Sequence, residues 1–353
     1  MILAGETRKR YDAFWSADAY ERCALYLTLN TGGAIPQPAD PVEKWTDIDG
    51  RLRRELQGVG RVRYLADAFH SVFTNFGPGC LTACVGGSAR WAKDTVWFEN
   101  EPFFIEDWEN PPVPAWNPDS SMARLLDEFI SKYLAAADGR YLVSLTDIGG
   151  TYDILAAMRG TQNLLFDLIE HPEEVISYVD SRIAPLWKAC FEEETRRLMA
   201  AQGAVTSWMP IYSEKPYYPL QCDFSAMISP AMFGEFILPD LRRQTEFMDR
   251  SIYHLDGPGE IPHLDLLLGL PRLSAIQWTS GDGKPELTDP VWFDLYDRIQ
   301  RAGKGIVLLG VNPNGVERLL NHISAKGLYM SIGVNDPKAA DETLRIVNAK
   351  GAA

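Results

Sequence analysis

The chain has 353 residues, 46% of them hydrophobic and 23% charged, an ordinary globular composition able to bury one large core or two medium ones. Asp and Glu number 48 against 34 Lys and Arg, a formal net charge of −14 that is spread along the chain rather than blocked. That balance argues against nucleic-acid binding, which needs clustered Lys and Arg, and no apolar run is long enough to span a bilayer. The opening MILAGETRKRYDAFWS lacks the pattern of a secretory signal. The five cysteines, Cys23, Cys80, Cys84, Cys190 and Cys222, are odd in number and show no paired CxxC spacing, so the reading is a cytoplasmic chain with free thiols.

In chain order, residues 7–20 read as a helix and the apolar run Cys23–Leu29 as a buried strand. A Gly- and Pro-rich loop follows to Val42, then helices around 47–59 and 65–73. NFGPGCLTACVGGSAR (75–90) reads as a flexible loop with a short helix, and Cys80-x3-Cys84 alone is a weak metal signal because a structural zinc needs four ligands. Strands are predicted at 94–99, 140–146, 204–209, 251–255, 273–278, 305–310 and 327–332. Helices separate most of them: one from Ser120 to Ala137, one over 151–158, two more with Pro172 opening the second, one from Ser229-Pro230 to about Arg250, and a closing helix over 337–349. Eight strands alternating with helices predict a parallel sheet closed into a (β/α)8 TIM barrel, one domain over 1–353 with residues 30–140 as a loop-rich elaboration.

The segment around the fifth predicted strand carries the densest chemistry. SIYHLDGPGEIPH (251–263) sets His254 and Asp256 two residues apart, so both project from one face at a strand end, where they can bind a metal or move a proton. CDFSAMISPAMFGEFILPDL (222–241) followed by HLDG resembles the uroporphyrinogen decarboxylase superfamily, whose helix after a strand end reads S-P-x-x-[FY]-x-E-F-x-x-P; here these are Ser229, Pro230, Phe233, Glu235, Phe236 and Pro239. TDIGGTYDILAAMRG (146–160) is similar to that superfamily's segment after the third strand. The likeness covers roughly residues 140–350 and implies the barrel fold, but it spans both cofactorless decarboxylases and zinc-dependent methyltransferases.

The decarboxylase branch carries an Arg-rich element after the first strand, where this chain has LTLNTGGAIPQP, so the guanidinium partners of a polycarboxylate are missing. The methyltransferase branch carries H-x-C-G after the fifth strand and a further Cys near the last; here stand His254-Leu255-Asp256-Gly257 and Ser331-Ile332-Gly333. The resemblance therefore implies a methyltransferase in which zinc assists transfer between a small methylated substrate or a thiol and a corrinoid on a partner protein. With the thiols replaced, the expected ligands are His254, Asp256 and Cys222, the last in the loop before the Ser229 helix.

Asp147 and Asp223 are candidate acid/base groups at neighbouring strand ends, and Gly149-Gly150 lets the backbone near Asp147 approach a ligand closely. Asp153 reads as a helix first-turn acid and His263 as a surface or helix-start residue rather than a third ligand. The aromatic stretch SWMPIYSEKPYYPLQCD (207–223) is expected to wall a small-molecule pocket with Trp208, Tyr217 and Tyr218, joined by Gln277 and Trp278. Two other readings stand beside methyl transfer: a metal-free lyase or hydrolase running on Asp147, Asp223 and Asp256, and a non-catalytic ligand-binding protein. A homo-oligomer is compatible with all three.

Overall fold

The computed structural model describes residues 3–98 and 102–351. Its centre is a seven-stranded sheet formed by β1 (Ala24–Asn30), β2 (Val62–Ala66), β3 (Tyr217–Leu220), β4 (Arg250–Asp256), β5 (Ala275–Thr279), β6 (Gly305–Leu308) and β7 (Leu328–Val334). Their order is β2-β1-β7-β6-β5-β4-β3. Only β2 against β1 is antiparallel; every other pairing in this sheet is parallel. Helices connect the successive parallel strands, and β6 reads as an uninterrupted apolar run buried at all four positions.

The expectation of a closed eight-stranded barrel is met in part. Residues 94–99 contribute only Val96–Trp97, a hairpin with Arg90–Trp91 outside the central sheet, and Glu99 lies outside the described residues. The strand predicted at 140–146 survives as Leu142–Val143, paired in parallel with Ser71–Val72 in a separate two-stranded ladder. That predicted at 204–209 is reduced to one bridge from Val205 to Ser213. Single backbone bonds continue the path, from Ser144 N–H to Val72 O (2.9 Å) and from Leu145 N–H to Thr206 O (2.8 Å), but the ladder does not close among the described residues.

Three differences from the sequence reading have local causes. β3 lies inside the stretch read as an aromatic loop; Pro219 donates no ladder bond, yet β3 is the edge of the seven-stranded sheet and pairs only with β4. The helix predicted over 65–73 is replaced by β2 and Ser71–Val72, with Ala66 turned to φ +54° between them. The helix from Ser229 is present, its hydroxyl capping Met232 N–H at 3.2 Å, but it widens into a π-turn over Phe233–Ile237 ahead of Pro239, which has no N–H for the regular ladder. Among the described residues, no helix is long and apolar enough to cross a membrane.

The N-terminal helix Gly5–Trp15 is fastened to the sheet through one fully buried carboxylate. Asp67 follows β2 and takes Arg22 Nη1 at 2.5 Å, Arg10 Nη1 at 3.0 Å and the backbone N–H of Leu25 at 3.0 Å. Its carbonyl accepts Tyr11 Oη–H at 3.0 Å. Removing one partner from a buried ionic group strands the remaining charges. Asp67→Ala is therefore expected to cost about 3–5 kcal/mol in denaturant unfolding, while an unchanged midpoint would show that solvent replaces the carboxylate.

Candidate active site

At the C-terminal ends of β3 and β4, Asp223, His254 and Asp256 each offer a ligating atom, and these atoms all lie within 4.8 Å of one another. The strand register produces this convergence. His254 and Asp256 share a face of β4, and β3 delivers Asp223 three residues beyond its end, at Leu220. The local sequence stops both strands at the right place: Gly257 turns the chain at φ +82° directly after Asp256.

His254 is held from behind. Its Nδ1 bonds Gln277 Oε1, and Gln277 Nε2 donates to Thr279 Oγ1 at 2.8 Å, which fixes the amide with its oxygen toward the ring. The imidazole is thereby assigned as the Nδ1–H tautomer, leaving the Nε2 lone pair free, as where a hydrogen bond to the far ring nitrogen orients a metal-bound histidine. Trp208 stands edge-to-face against the ring, with centroids 5.0 Å apart and planes at 87°. Donor chemistry, spacing and tautomer fit a divalent cation on two carboxylates and one imidazole.

The cluster opens into a two-lobed cleft. One lobe, about 290 Å³, is lined by Asp147, Trp208, Gln221, Asp223 and His254 and walled opposite by Trp45 and Phe73. The other, about 450 Å³, shares Gln221 and Asp223 and runs past Asp153 to Val96, Phe98 and Met227. The elaboration between β1 and the Ser121–Ala137 helix thus supplies one wall of the site. Gly149 and Gly150 serve this closure rather than a ligand. A Cβ at Gly149 would lie 2.6 Å from Gly79 Cα and one at Gly150 2.2 Å from Gln221 O, so both glycines let neighbouring backbone pack against the turn.

Acid crowding dominates the electrostatics. Burial raises Asp147 to about 6, with Asp223 adding to the rise while Gly149 N–H and His254 restrain it. Burial and Asp223 lift Asp153 to about 7; its Oδ1 accepts Phe224 N–H at 2.9 Å and its Oδ2 is buried without a partner among the described residues. Glu260 is completely buried behind Asp256, accepting its N–H at 3.2 Å, and burial with Asp223 pushes it to about 9. Asp223, whose side chain opens onto the cleft, is also raised by loss of water around its carboxyl; His254 opposes and Asp256 reinforces that shift. Near neutrality Glu260 is a carboxylic acid, and Asp147 and Asp153 sit where a proton is readily exchanged.

Of the sequence-predicted residues, the fold brings Asp147, Asp223, Trp208, Gln277, His254 and Asp256 together. It turns the others away. Cys222, the expected third ligand, is buried outside the convergent group of Asp223, His254 and Asp256, and burial with Asp153 and Glu260 nearby holds its thiol well above the ordinary range. Tyr217 packs on Trp15 and bonds Ile211 O, at the start of β3 away from the cleft. Tyr218 lies on the outer face against Trp187, where its hydroxyl accepts Ile148 N–H at 2.8 Å and so holds the turn that carries Asp147. Trp278 packs on Trp292. Parallel strands ending in polar residues tell which end is the mouth, but which side of each strand faces it depends on register. In the sequence Asp153 reads as a helix-turn acid and Glu260 is not singled out; their sequence signal is no more than nearness to Asp147 and Asp256, and the fold alone brings both acids close to Asp223.

An acid whose pKa rises on folding holds its proton more tightly in the native state, so its stabilising contribution is full below the unfolded value and is lost as pH rises through the folded one. For Glu260 that window runs from 4.5 to about 9. Glu260→Gln, neutral at every pH, is expected to lose less melting temperature than the parent across that range; superimposable pH profiles would mean the carboxyl ionises freely.

No family model and no curated protein matches this chain. Among solved structures it is similar to a methyltransferase from Methanosarcina mazei, with a TM-score of 0.61 over 98% of each chain and 9% sequence identity. A likeness at that identity establishes a shared α/β fold over the full length.

Proposed function

We propose that this protein is a metal-assisted methyltransferase acting on a small molecule, on a scaffold that is an interrupted (β/α)8 barrel. The observation that carries this reading is the convergence of Asp223, His254 and Asp256 at adjacent strand ends, with Gln277 fixing the imidazole tautomer. The full-length likeness to a methyltransferase supports the class of reaction, and chemistry at the C-terminal ends of parallel strands is the habit of such scaffolds. The broken path through Ser71–Val72, Leu142–Val143 and Val205 supports an eight-unit barrel whose early strands are short.

In this reading Asp223, His254 and Asp256 hold a divalent cation, zinc in the first instance. The ion would lower the pKa of a substrate thiol or polarise the group that leaves methyl, and a corrinoid on a partner protein would be the other methyl carrier. The chain's own groups do the rest. Gln277 and Thr279 keep the His254 lone pair aimed outward, Trp208 and Trp45 exclude water from the smaller lobe, and Asp147 exchanges a proton with the substrate near neutral pH. Among the described residues no Cys joins the three ligating residues, and in this reading the substrate supplies the thiol.

A second reading has its own observation. Asp147, Asp153 and Glu260 are all raised by burial, which suits proton transfer in a metal-free lyase or hydrolase.

Calorimetric titration with Zn²⁺ is expected to show one site per chain, weakened about 100-fold or more by His254→Ala or Asp256→Asn and about 10–100-fold by Gln277→Leu, with Asp147→Asn leaving affinity intact. Unaltered Zn²⁺ binding in all of these variants would remove the metal site. With methylcobalamin and 2-mercaptoethanol as probes, demethylation followed by visible absorbance should stop on chelation and return with Zn²⁺. An activity indifferent to chelator but abolished by Asp147→Asn would instead favour the metal-free reading.

A further inference from the structure

A second cavity, of about 440 Å³, lies on the opposite face of the strand end that carries Asp147. It is enclosed by the helices Leu81–Cys84, Ser121–Ala137 and Ala184–Gln202. Thr146 and Ile148 line it, whereas Asp147 between them lines the cleft, so successive residues of one tight turn, closed by Ile148 N–H on Thr146 O at 3.1 Å, serve two separate spaces. Its walls are apolar, made by residues such as Leu81, Leu126, Ile130 and Ala189 together with the neutral thiols of Cys80 and Cys190. Burial keeps those thiols protonated, Cys190 at about 12, so they act as soft apolar surface and not as metal ligands.

Arg124, Asp127, Glu193, Glu194 and Arg197 are its charged lining residues, and Asp127 and Glu193 are exposed whereas Glu194 is half-buried. Glu194 Oε1 accepts both the N–H of Thr146 at 2.8 Å and its Oγ–H at 2.7 Å, two neutral donors that leave Oε2 for a guest. The nearest guanidinium, Arg197, is already engaged with Asp127 at 2.9 Å, and Arg124 at the rim is engaged with Asp119 at 2.8 Å. The polar demand of the cavity is therefore for a donor or a cation at its floor, not for an anion. A volume of this size with apolar walls and one convergent polar group is the usual form of a small-ligand site.

We propose that this cavity is a second binding site, distinct from the cleft, for a small apolar molecule carrying a protonated amine, its ammonium meeting Glu194 and its hydrocarbon lying along Leu126, Ile130 and Ala189. The ammonium supplies the charge-assisted hydrogen bond that Glu194 lacks, and the body displaces water from apolar walls.

Hexylamine, hexan-1-ol and hexanoate distinguish the parts of this proposal in isothermal titration of the whole chain at about pH 8, where an alkylamine is protonated like a lysine. Hexylamine should bind at one site at least about tenfold more tightly than hexan-1-ol, with hexanoate the weakest. Glu194→Gln should erase the preference for amine over alcohol, and Ala189→Trp, which fills the cavity, should abolish both. His254→Ala and Asp256→Asn should leave hexylamine binding unchanged, so failure of the methyltransferase reading does not touch this result. Equal affinity for amine and alcohol in the parent, amine preference retained in Glu194→Gln, or binding lost in His254→Ala would each overturn it. Should Ala189→Trp not fold by circular dichroism, the Glu194→Gln comparison decides alone.

Discussion

Like charge held at close range is the constraint on which this site depends. Asp223 and Asp256 stand with His254 inside a 4.8 Å group, while Asp147, Asp153 and Glu260 are buried around them. Carboxylates cannot all ionise in so small a region without cations, and among the described residues no Lys or Arg lines the two lobes of the cleft. The fold resolves the conflict by distance from water. The deepest acid, Glu260, keeps its proton; Asp147 and Asp153 lie near neutrality; Asp223, on the cleft, and Asp256 flank His254. A graded set of this kind both attracts a metal ion and supplies protons beside it, which is why the metal-assisted and metal-free readings draw on the same residues.

That grading is built by the scaffold more than by the residues themselves. Parallel strands deliver their C-terminal ends to one side, and β3 and β4 end within a few residues of the three ligating groups. The supports are neutral and numerous: Gln277 and Thr279 behind His254, Tyr218 Oη on the Ile148 N–H, and Gly149 N–H on Asp147 at 3.0 Å. Neutral donors can position an acid without lowering its pKa as far as a guanidinium would, so the acids stay orientated and yet remain protonatable. Asp67 is the contrast within the same chain. There two arginines hold a buried carboxylate, and the arrangement fastens a helix instead of doing chemistry.

The legible and illegible parts of the sequence divide along the same physical line. β4 through β7 were readable because strands buried on both faces write themselves as apolar runs, and His254 with Asp256 because period two puts them on one face. Between β1, itself legible as an apolar run, and β4 the signal weakens. Leu142–Val143 is the remnant of a longer predicted strand, Ser71–Val72 is a two-residue ladder too short for any periodicity, and the prolines of 210–219 disguised an edge strand as a loop. Tyr217, Tyr218 and Trp278 illustrate a different limit. Their residue types suit a pocket wall, but side-chain facing follows from register, and a shift of one position exchanges pocket for core. Cys222 fell on the wrong side for the same reason, one residue before Asp223.

Residues 146–148 draw these threads together. Tyr218 fixes the segment from β3, Glu194 fixes it from the Ala184–Gln202 helix, and Cys80 N–H bonds Asp147 O at 3.2 Å. Asp147 is thus presented to the cleft by three anchors, and one of them, Glu194, is itself an acid raised by burial to about 7. When Glu194 is ionised its Oε1 is a stronger acceptor for Thr146 N–H than when protonated, so the charge state of one cavity bears on how firmly the neighbouring acid is held in the other. Two spaces that share no lining residue are joined through one tight turn, whose successive residues 146, 147 and 148 serve alternately as a wall of one and of the other.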